Sequence, residues 1–483
     1  MLDRVHVYFQ QMASQSADVI IIGAGIAGVT AANKLFASGY KDVKILEARN
    51  RIGGRIHTVS LGPNACSVEM GAQWIHGGGD NPVYCIALAH DLLDHSNVHD
   101  EFAGAYYNEN GTSVDKSLLD TVTTIFKETV EDMVDFSFSD SKSTLTCQEY
   151  LTNRMSTILS PISDAQKEEA ANIFRSLLNI LKEDCGDDLT NLSLRCNGFE
   201  DDFRNDDHTL PAGYENLLRI QMSNFEPDVI RFETEVKLID WSEKENGMDS
   251  VVLKCVERGT EMTYTANHVI STIPLGVLKK KHKQLFSPAL PAGKASLIEK
   301  LGFGKVNKIL LHYEEPFWTK GNGGIKLVWD QAPKCDVGER SWARDIFAFK
   351  EMKHIDNMLI AWIYGDSAEQ IENIDEARVG EVCTQVLRQF LSDNTIPNPS
   401  SVRTSKWCTD PHTLGAYTFV PSDCHYDDVG RSAKPLLRSS GKPTVLFAGE
   451  ATHSDNYGSV HGAMISGIRE ATRITKWKTK QGY

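Results

Sequence analysis

The sequence predicts an α/β fold: a doubly wound, largely parallel sheet, with a second α+β unit of mixed sheet and helices interleaved into it. Three observations predict this. Residues 18 to 47 read as strand, glycine turn, helix and strand. The chain returns to a strand, a polar turn and a helix between residues 444 and 474. Between these two blocks lies a stretch of amphipathic helices followed by alternating, strand-like segments.

Taken in order, DVIII is the first strand, GAGIAG the turn, VTAANKLFASG a helix closed by Gly39, and DVKILE the second strand. Gly23, Gly25 and Gly28 form G-x-G-x-x-G between strand and helix, where missing side chains permit a tight turn and let a pyrophosphate reach the helix N-terminus. Glu47 ends the next strand, nineteen residues past Gly28, the place of a carboxylate that accepts from a ribose diol. Together they predict a doubly wound dinucleotide-binding domain, with NAD and FAD both open at this point. Further on, residues 118–136 and 165–184 carry apolar positions at three- and four-residue spacing, the second led by a Ser163-x-x-Gln166 capping box. Strand-like alternation returns in VIRFETEVKLIDWS, VVLKCVE, HVISTIP, KVNKILLHYEE, DIFAFKE and MLIAWIYG, read as a mixed sheet. TVLFAGE and HGAMISGIREATRI complete the nucleotide fold. The division expected is an N-terminal extension (1–17), nucleotide-binding parts at 18–98, 223–298 and 401–483, and substrate-domain parts at 99–222 (helical) and 299–400 (sheet and helix).

A chain of 483 residues, 41% hydrophobic, can bury more than one core. Fifty basic against sixty-five acidic residues give a net charge of -15, which argues against a nucleic-acid surface and suits a cationic ligand. Ten cysteines without a C-x-x-C pair signal neither zinc nor a disulfide framework, so no metal is expected and a reducing compartment, the cytoplasm, fits best. The opening MLDRVHVYFQQMASQS is too polar for a secretory signal, no stretch approaches the ~20 apolar residues of a membrane span, and KQGY does not match the S-K-L address. A soluble monomer is expected.

The residues after Glu47 narrow the cofactor. ARNRIGGRIHT places Gly53, Gly54 and Arg55 within eight residues of the acid, and this resembles the second glycine motif of the flavin-containing amine oxidase superfamily. The resemblance continues at Glu69-Met70-Gly71-Ala72-Gln73-Trp74, at the Val236 strand, at Thr272-Ile273-Pro274-Leu275-Gly276 and at Gly449-Glu450-Ala451-Thr452, so that it spans 18 to 473. It implies FAD, held by Gly23, Gly25, Ala27 and Gly28, by Glu47, Ala48 and Arg49, and by Gly54 and Arg55. Gly71, Ala72, Gln73 and Trp74, with Val236, Thr272 and Trp407, extend that set; Gly449, Glu450, Ser459 and Val460 close it. The helix starting at Ser459 and Val460 faces the flavin pyrimidine ring, where its N-terminus would stabilise negative charge.

Within the superfamily, the segment matching the Gly-Cys-Tyr tether of monoamine oxidases reads Leu414-Gly415-Ala416-Tyr417, so noncovalent FAD is expected. Histone demethylases carry a helical tower for which this chain has no room. Gln73-Trp74-Ile75-His76-Gly77, with Asn81-Pro82 shortly after, is similar to the animal spermine and acetylpolyamine oxidases. That likeness implies a polyamine substrate, molecular oxygen as oxidant, His76 at the substrate tunnel, and Lys308 holding a water against the flavin. The residues agree: Lys308 lies in an apolar strand, Val306-Asn307-Lys308-Ile309-Leu310, where a charge is costly without partners. Trp407 and Tyr417 flank Asp410-Pro411-x-x-x-Gly415, a segment for which the resemblance implies an aromatic wall at the flavin face, suited to an amine. Trp74, Tyr457 and Ser459 complete the substrate set. Val460 departs from the animal pattern, which has threonine there, and leaves the preferred polyamine open. Of the acidic run around Glu200-Asp201-Asp202 and Asp206-Asp207, most is read as solvated loop, and the resemblance, which implies an acid near there, keeps Glu200 as the candidate amine anchor. Two alternatives stand beside a polyamine oxidase: an L-amino-acid or other amine oxidase of the same superfamily, the amino-acid oxidase needing an arginine for the carboxylate, and a catalytically silent flavoprotein.

Overall fold

The computed structural model describes residues 14–61, 66–94, 100–139, 143–194, 207–243, 250–330, 340–352 and 354–481. At its centre the strand Ser14–Ile22 runs parallel to Val43–Leu46 on one side and to the long strand Thr260–Ser271 on the other. Val19, Ile20 and Ile21 are wholly buried, because a central parallel strand is covered on both faces and needs apolar residues in succession. The sheet has nine strands; Ile230–Arg231 extends it beyond Val43–Leu46, and Thr234–Asp240 with Val251–Glu257 extends it antiparallel on the far side. The late strand Pro443–Phe447 joins it parallel to Thr260–Ser271, as the closing nucleotide motif predicts. Helix Ile26–Ala37 comes directly after the glycine turn, and Gly39, at φ 88°, ends it. Gly28 is demanded by packing: a Cβ there would lie 2.0 Å from the Gly23 carbonyl oxygen.

A second, six-stranded sheet runs in the order Ser401–Thr404, Val306–His312, Met358–Tyr364, Ala348–Glu351, Ile325–Val328 and Ala105–Asn108, antiparallel except for the last pair. The segments read as one mixed sheet therefore divide between two, since the three earlier ones pair with the nucleotide sheet. VIRFETEVKLIDWS is itself two strands, broken where Glu233 takes φ 54°. Two expected boundaries move as well. Tyr214, Leu217 and Leu218, placed before residue 222, pack into the nucleotide core, and Ser401–Thr404, placed after residue 400, pairs with Val306–His312. The strand Ser14–Ile22 likewise begins inside the expected extension.

One face of the second sheet is covered by helix Glu376–Leu391 through Val379, Val382, Leu387 and Phe390. Along Val306–His312, Ile309 and Leu311 point into that layer, so Lys308 and Leu310 point the other way. Helices Lys116–Ser139, Cys147–Ile158 and Lys167–Cys185 form a separate core over the other side. The Ser163 capping box does not form: the helix starts at Lys167, and the Ser163 hydroxyl donates to the Gln166 side chain at 2.8 Å within a preceding turn. A reciprocal box forms instead at Thr146 and Glu149.

Candidate active site

A cavity of about 980 Å³ runs from the glycine turn to the second sheet, and every expected site residue lines it except Gly28, which lies behind the turn, and Glu200, which falls outside the described residues. Gly28 acts on the site only through its packing against the Gly23 carbonyl.

The nucleotide arm is made of backbone. Helix Ile26–Ala37 begins without a side-chain cap and without an acidic residue in its first turn, so its free N–H groups open toward Gly25, Ile26 and Ala27 on the cavity wall. That cradle fits a diphosphate. Glu47, 4% exposed, is fixed by N–H groups from Ala24 at 2.7 Å and Arg49 at 2.9 Å, leaving lone pairs for a ribose. The second glycine motif docks on the first, with Gly53 N–H donating to Ala24 O at 2.9 Å. Arg49 pairs with Asp410 at 2.7 Å; Arg55 donates to Ala416 O at 2.6 Å and pairs with Glu450 at 2.8 Å. Helix Val460–Lys480 points its N-terminus at the cavity, capped by the Ser459 hydroxyl, which accepts from Gly462 N–H at 3.0 Å. Gly71 lets Trp407 and the Arg55 backbone close in, for a Cβ there would lie 1.8 Å from Arg55 O. These residues fit FAD.

At the junction with the second sheet sits Lys308, 5% exposed, whose ammonium donates to Glu69 O at 2.9 Å, Gly71 O at 2.7 Å and Gln73 Oε1 at 2.8 Å. Burial pulls its pKa down to about 7, with the Glu69 carboxylate opposing and Lys350 adding to the fall. Trp407, buried, is held by its indole N–H on Met70 O at 2.9 Å, and the Tyr417 hydroxyl donates to the Glu183 carbonyl. His76 Nδ1 lies 2.9 Å from Asp207 Oδ1. Its neighbour on the capped helix, His461, is driven down to about 4 by burial and then by His76 and His453.

Sequence reasoning missed part of the site. Asp207, read as solvated loop, orients His76, and no local signal marks it. Asp100, Glu101, Glu131, Glu183 and Asp184 also line the substrate arm, interleaved with Phe102, Phe126, Val130, Val134 and Ile180. Lys350 and Lys326 were legible, since each is a lysine in an apolar strand, the same signal that singled out Lys308.

Among the described residues no helix is long and apolar enough to cross a membrane, and no cluster of metal-ligating side chains occurs. The chain is 31% identical to a peroxisomal N(1)-acetyl-spermine/spermidine oxidase of Bos taurus, with 95% of each chain covered, and 32% identical to the human protein of that name, with 94% of each covered. It is 27% identical to polyamine oxidase 1 of Oryza sativa subsp. japonica, over 96% of this chain and 98% of the other. A solved putrescine oxidase variant shares the fold, with a TM-score of 0.71 at 19% identity over 96% of this chain and 99% of that one. The model of the flavin-containing amine oxidoreductases matches residues 26–475. With a backbone cradle that fits its cofactor, FAD, the chain belongs to the flavin-containing amine oxidoreductase family.

Proposed function

We propose that the protein oxidises a polyamine, such as spermine, spermidine or an N1-acetylated form, at a carbon next to a secondary nitrogen. The observation that carries this reading is the acidic and apolar lining of the substrate arm: Asp100, Glu131 and Asp184 stand there with Phe102, Phe126, Val130, Val134 and Ile180, while Glu101 and Glu183 engage Lys350 and Asp207 engages His76. A polyamine offers ammonium groups to such carboxylates and methylene segments to such apolar side chains. FAD, held by the nucleotide arm, would supply the two-electron acceptor for hydride from that carbon, with molecular oxygen as the final oxidant and hydrogen peroxide as its product. The remaining imine takes up water and yields an aldehyde and a shorter amine.

The residues of the chain set the conditions for that step. The reacting nitrogen must be unprotonated, and the Lys308 ammonium, buried near the Trp362 ring in the cavity that Trp407 and Tyr417 also line, disfavours a second positive charge there. Lys308, whose three N–H donors go to Glu69 O, Gly71 O and Gln73 Oε1 and whose pKa is brought to about 7, can exchange a proton near neutrality and holds a water once one of those three bonds is released. His76, aimed by Asp207, contacts the substrate as it passes. FAD is held without a covalent bond, because Ala416 offers no sulfur at the tethering place.

An amino-acid oxidase needs an arginine for the carboxylate, yet the arginines lining the described cavity, Arg49 and Arg55, are paired with Asp410 and Glu450. A silent flavoprotein has no use for a buried, costly Lys308. We further propose a monomer in a reducing compartment, the cytoplasm, consistent with eight described cysteines that are all free; cell fractionation against a peroxisomal marker checks the location.

The test is anaerobic bleaching of the yellow flavin by spermine, N1-acetylspermine and a panel of amino acids. Bleaching by a polyamine is expected; bleaching by amino acids alone, or by nothing, overturns the proposal. Acid precipitation should leave free FAD in the supernatant, and colour retained in the pellet would refute noncovalent binding.

A further inference from the structure

Three lysines cross one face of the six-stranded sheet in a diagonal row. Lys308 stands directly opposite Trp362, Lys350 opposite Ile360 two residues back on the same strand, and Lys326 opposite Ala348 two residues before Lys350. Side chains alternate with a period of two, so this register puts all three lysines and Trp362 on one face. The ring contacts agree, with the Lys308 and Lys350 ammonium groups 5.6 and 4.6 Å from the Trp362 ring centre. Lys308, Lys326 and Lys350 are 5%, 1% and 9% exposed.

Lys308, Lys350 and Trp362 line the substrate arm, while Lys326 donates to the Glu101 carbonyl at 2.7 Å. The Lys350 ammonium lies 2.5 Å from Glu101 Oε1 and 3.5 Å from Glu183 Oε2. Burial would lower its pKa, but Glu101 and Glu183 outweigh burial and hold it above the ordinary value, so the cation persists at neutral pH. The arm is therefore polarised. Asp100, Glu131 and Asp184 are exposed, whereas at the inner end, against the sheet, the less exposed Glu101 and Glu183 face a row of three lysines.

We propose that Lys350 is a specificity-determining residue: by engaging Glu101 and Glu183, it makes the inner end of the arm a subsite for an uncharged, hydrogen-bonding substrate terminus, as in an N-acylated polyamine, and excludes a terminal ammonium. An amide carbonyl can accept from Lys350 and lay its plane on Trp362. A terminal ammonium would meet like charge on Lys350 and Lys308 and find both carboxylates already taken. The inference rests on the polyamine reading above.

The experiment compares kcat/KM for N1-acetylspermine and spermine in the FAD-loaded wild type, Lys350→Met, Lys350→Arg and the double variant Lys350→Met/Glu183→Gln. The wild type should favour the acetylated amine, Lys350→Met should shift the ratio toward spermine by about tenfold, and Lys350→Arg should keep the wild-type ratio. Should Lys350→Met fail to fold around two uncompensated carboxylates, the double variant carries the test with the same direction, because Glu101 is still released. A wild type active on polyamines but favouring spermine, or a ratio unchanged within about twofold in the folded Lys350→Met variants, single or double, overturns the inference and leaves the polyamine reading intact. A wild type reduced by neither amine overturns both.

Discussion

Around Gly23 and Glu47 the cavity wall is backbone: a helix N-terminus, glycines without side chains and one carboxylate held by two N–H groups. Around Lys308 and Lys350 the wall is ionised side chains contributed by separate strands of a different sheet. The first arm reads a ligand mainly by shape and backbone partial charge, with its ionised side chains tied into the Arg49–Asp410 and Arg55–Glu450 pairs or held by backbone N–H groups, whereas the second uses full charges in a buried setting, where pKa values move. A cofactor that stays bound calls for the first kind of wall, and a substrate that changes charge as it reacts calls for the second. Changes in the substrate arm should therefore alter rates and pH dependence, and changes in the nucleotide arm should alter occupancy.

The largest effect is expected at Lys308, where the two arms meet. Lys308→Met keeps length and apolar packing but deletes the ammonium, and should slow flavin reduction, reoxidation or both by roughly 10²-fold for every amine tested, the scale of a positioned acid or base. Stopped-flow measurement of both half-reactions decides it, and wild-type rates in both would make Lys308 structural. Its stability signature has a definite sign. With a folded pKa of about 7 against an ordinary 10.5, the folded chain binds fewer protons at Lys308 than the unfolded chain between those pH values. The burial penalty is thus full below pH 7 and fades as pH rises to about 10.5. The Tm of the FAD-loaded wild type relative to Lys308→Met should climb across that window; a flat difference breaks the claim that this arm works through shifted titration.

The nucleotide arm should respond through occupancy instead. Glu47→Ala removes a charged acceptor from the ribose and frees two backbone donors, and should weaken FAD retention by about 1.5–3 kcal/mol. Flavin content after dilution and gel filtration measures this. The fraction that still carries FAD should reduce at nearly the wild-type rate. A slow but fully loaded Glu47→Ala enzyme would erase the distinction between the two arms.

The same difference explains what the sequence could disclose. Gly23, Gly25, Gly28 and Glu47 lie within one strand-turn-helix-strand unit, so a backbone cradle leaves its glycine spacing in thirty contiguous residues. The substrate arm has no such signature. Asp207 lies 131 positions from its partner His76, and Glu101 lies 249 from Lys350, so only the folded register brings them together. A lysine in an apolar strand is a local signal, and it singled out Lys308; Lys326 and Lys350 carried it too but matched no motif. Where the reading of elements went astray, local geometry was responsible: Glu233 breaks an apparent strand by taking positive φ, and Ser163 spends its hydroxyl on a side chain. Neither event changes the alternation of apolar residues on which the reading relied.

The smallest effect should come from Asp207, because its pair with His76 is partly open to solvent, at 15% and 32% side-chain exposure, and such pairs are screened. Asp207→Asn preserves an oxygen for His76 Nδ1–H but removes the charge, so the imidazole keeps its aim and loses part of the stabilisation of its protonated form. Among the described residues, Asp207 and the neighbouring imidazole of His461, whose pKa burial lowers to about 4, face that ring. FAD retention should be unchanged, kcat/KM for polyamines should fall by about three- to tenfold, and the acidic limb of its pH profile should move to lower pH. Asp207→Glu should restore the limb in part. A profile that superimposes on the wild type would mean that Asp207 only packs beside the histidine. In that case the charged wall of the substrate arm would end at Asp184, and His76 would meet the substrate without a carboxylate behind it.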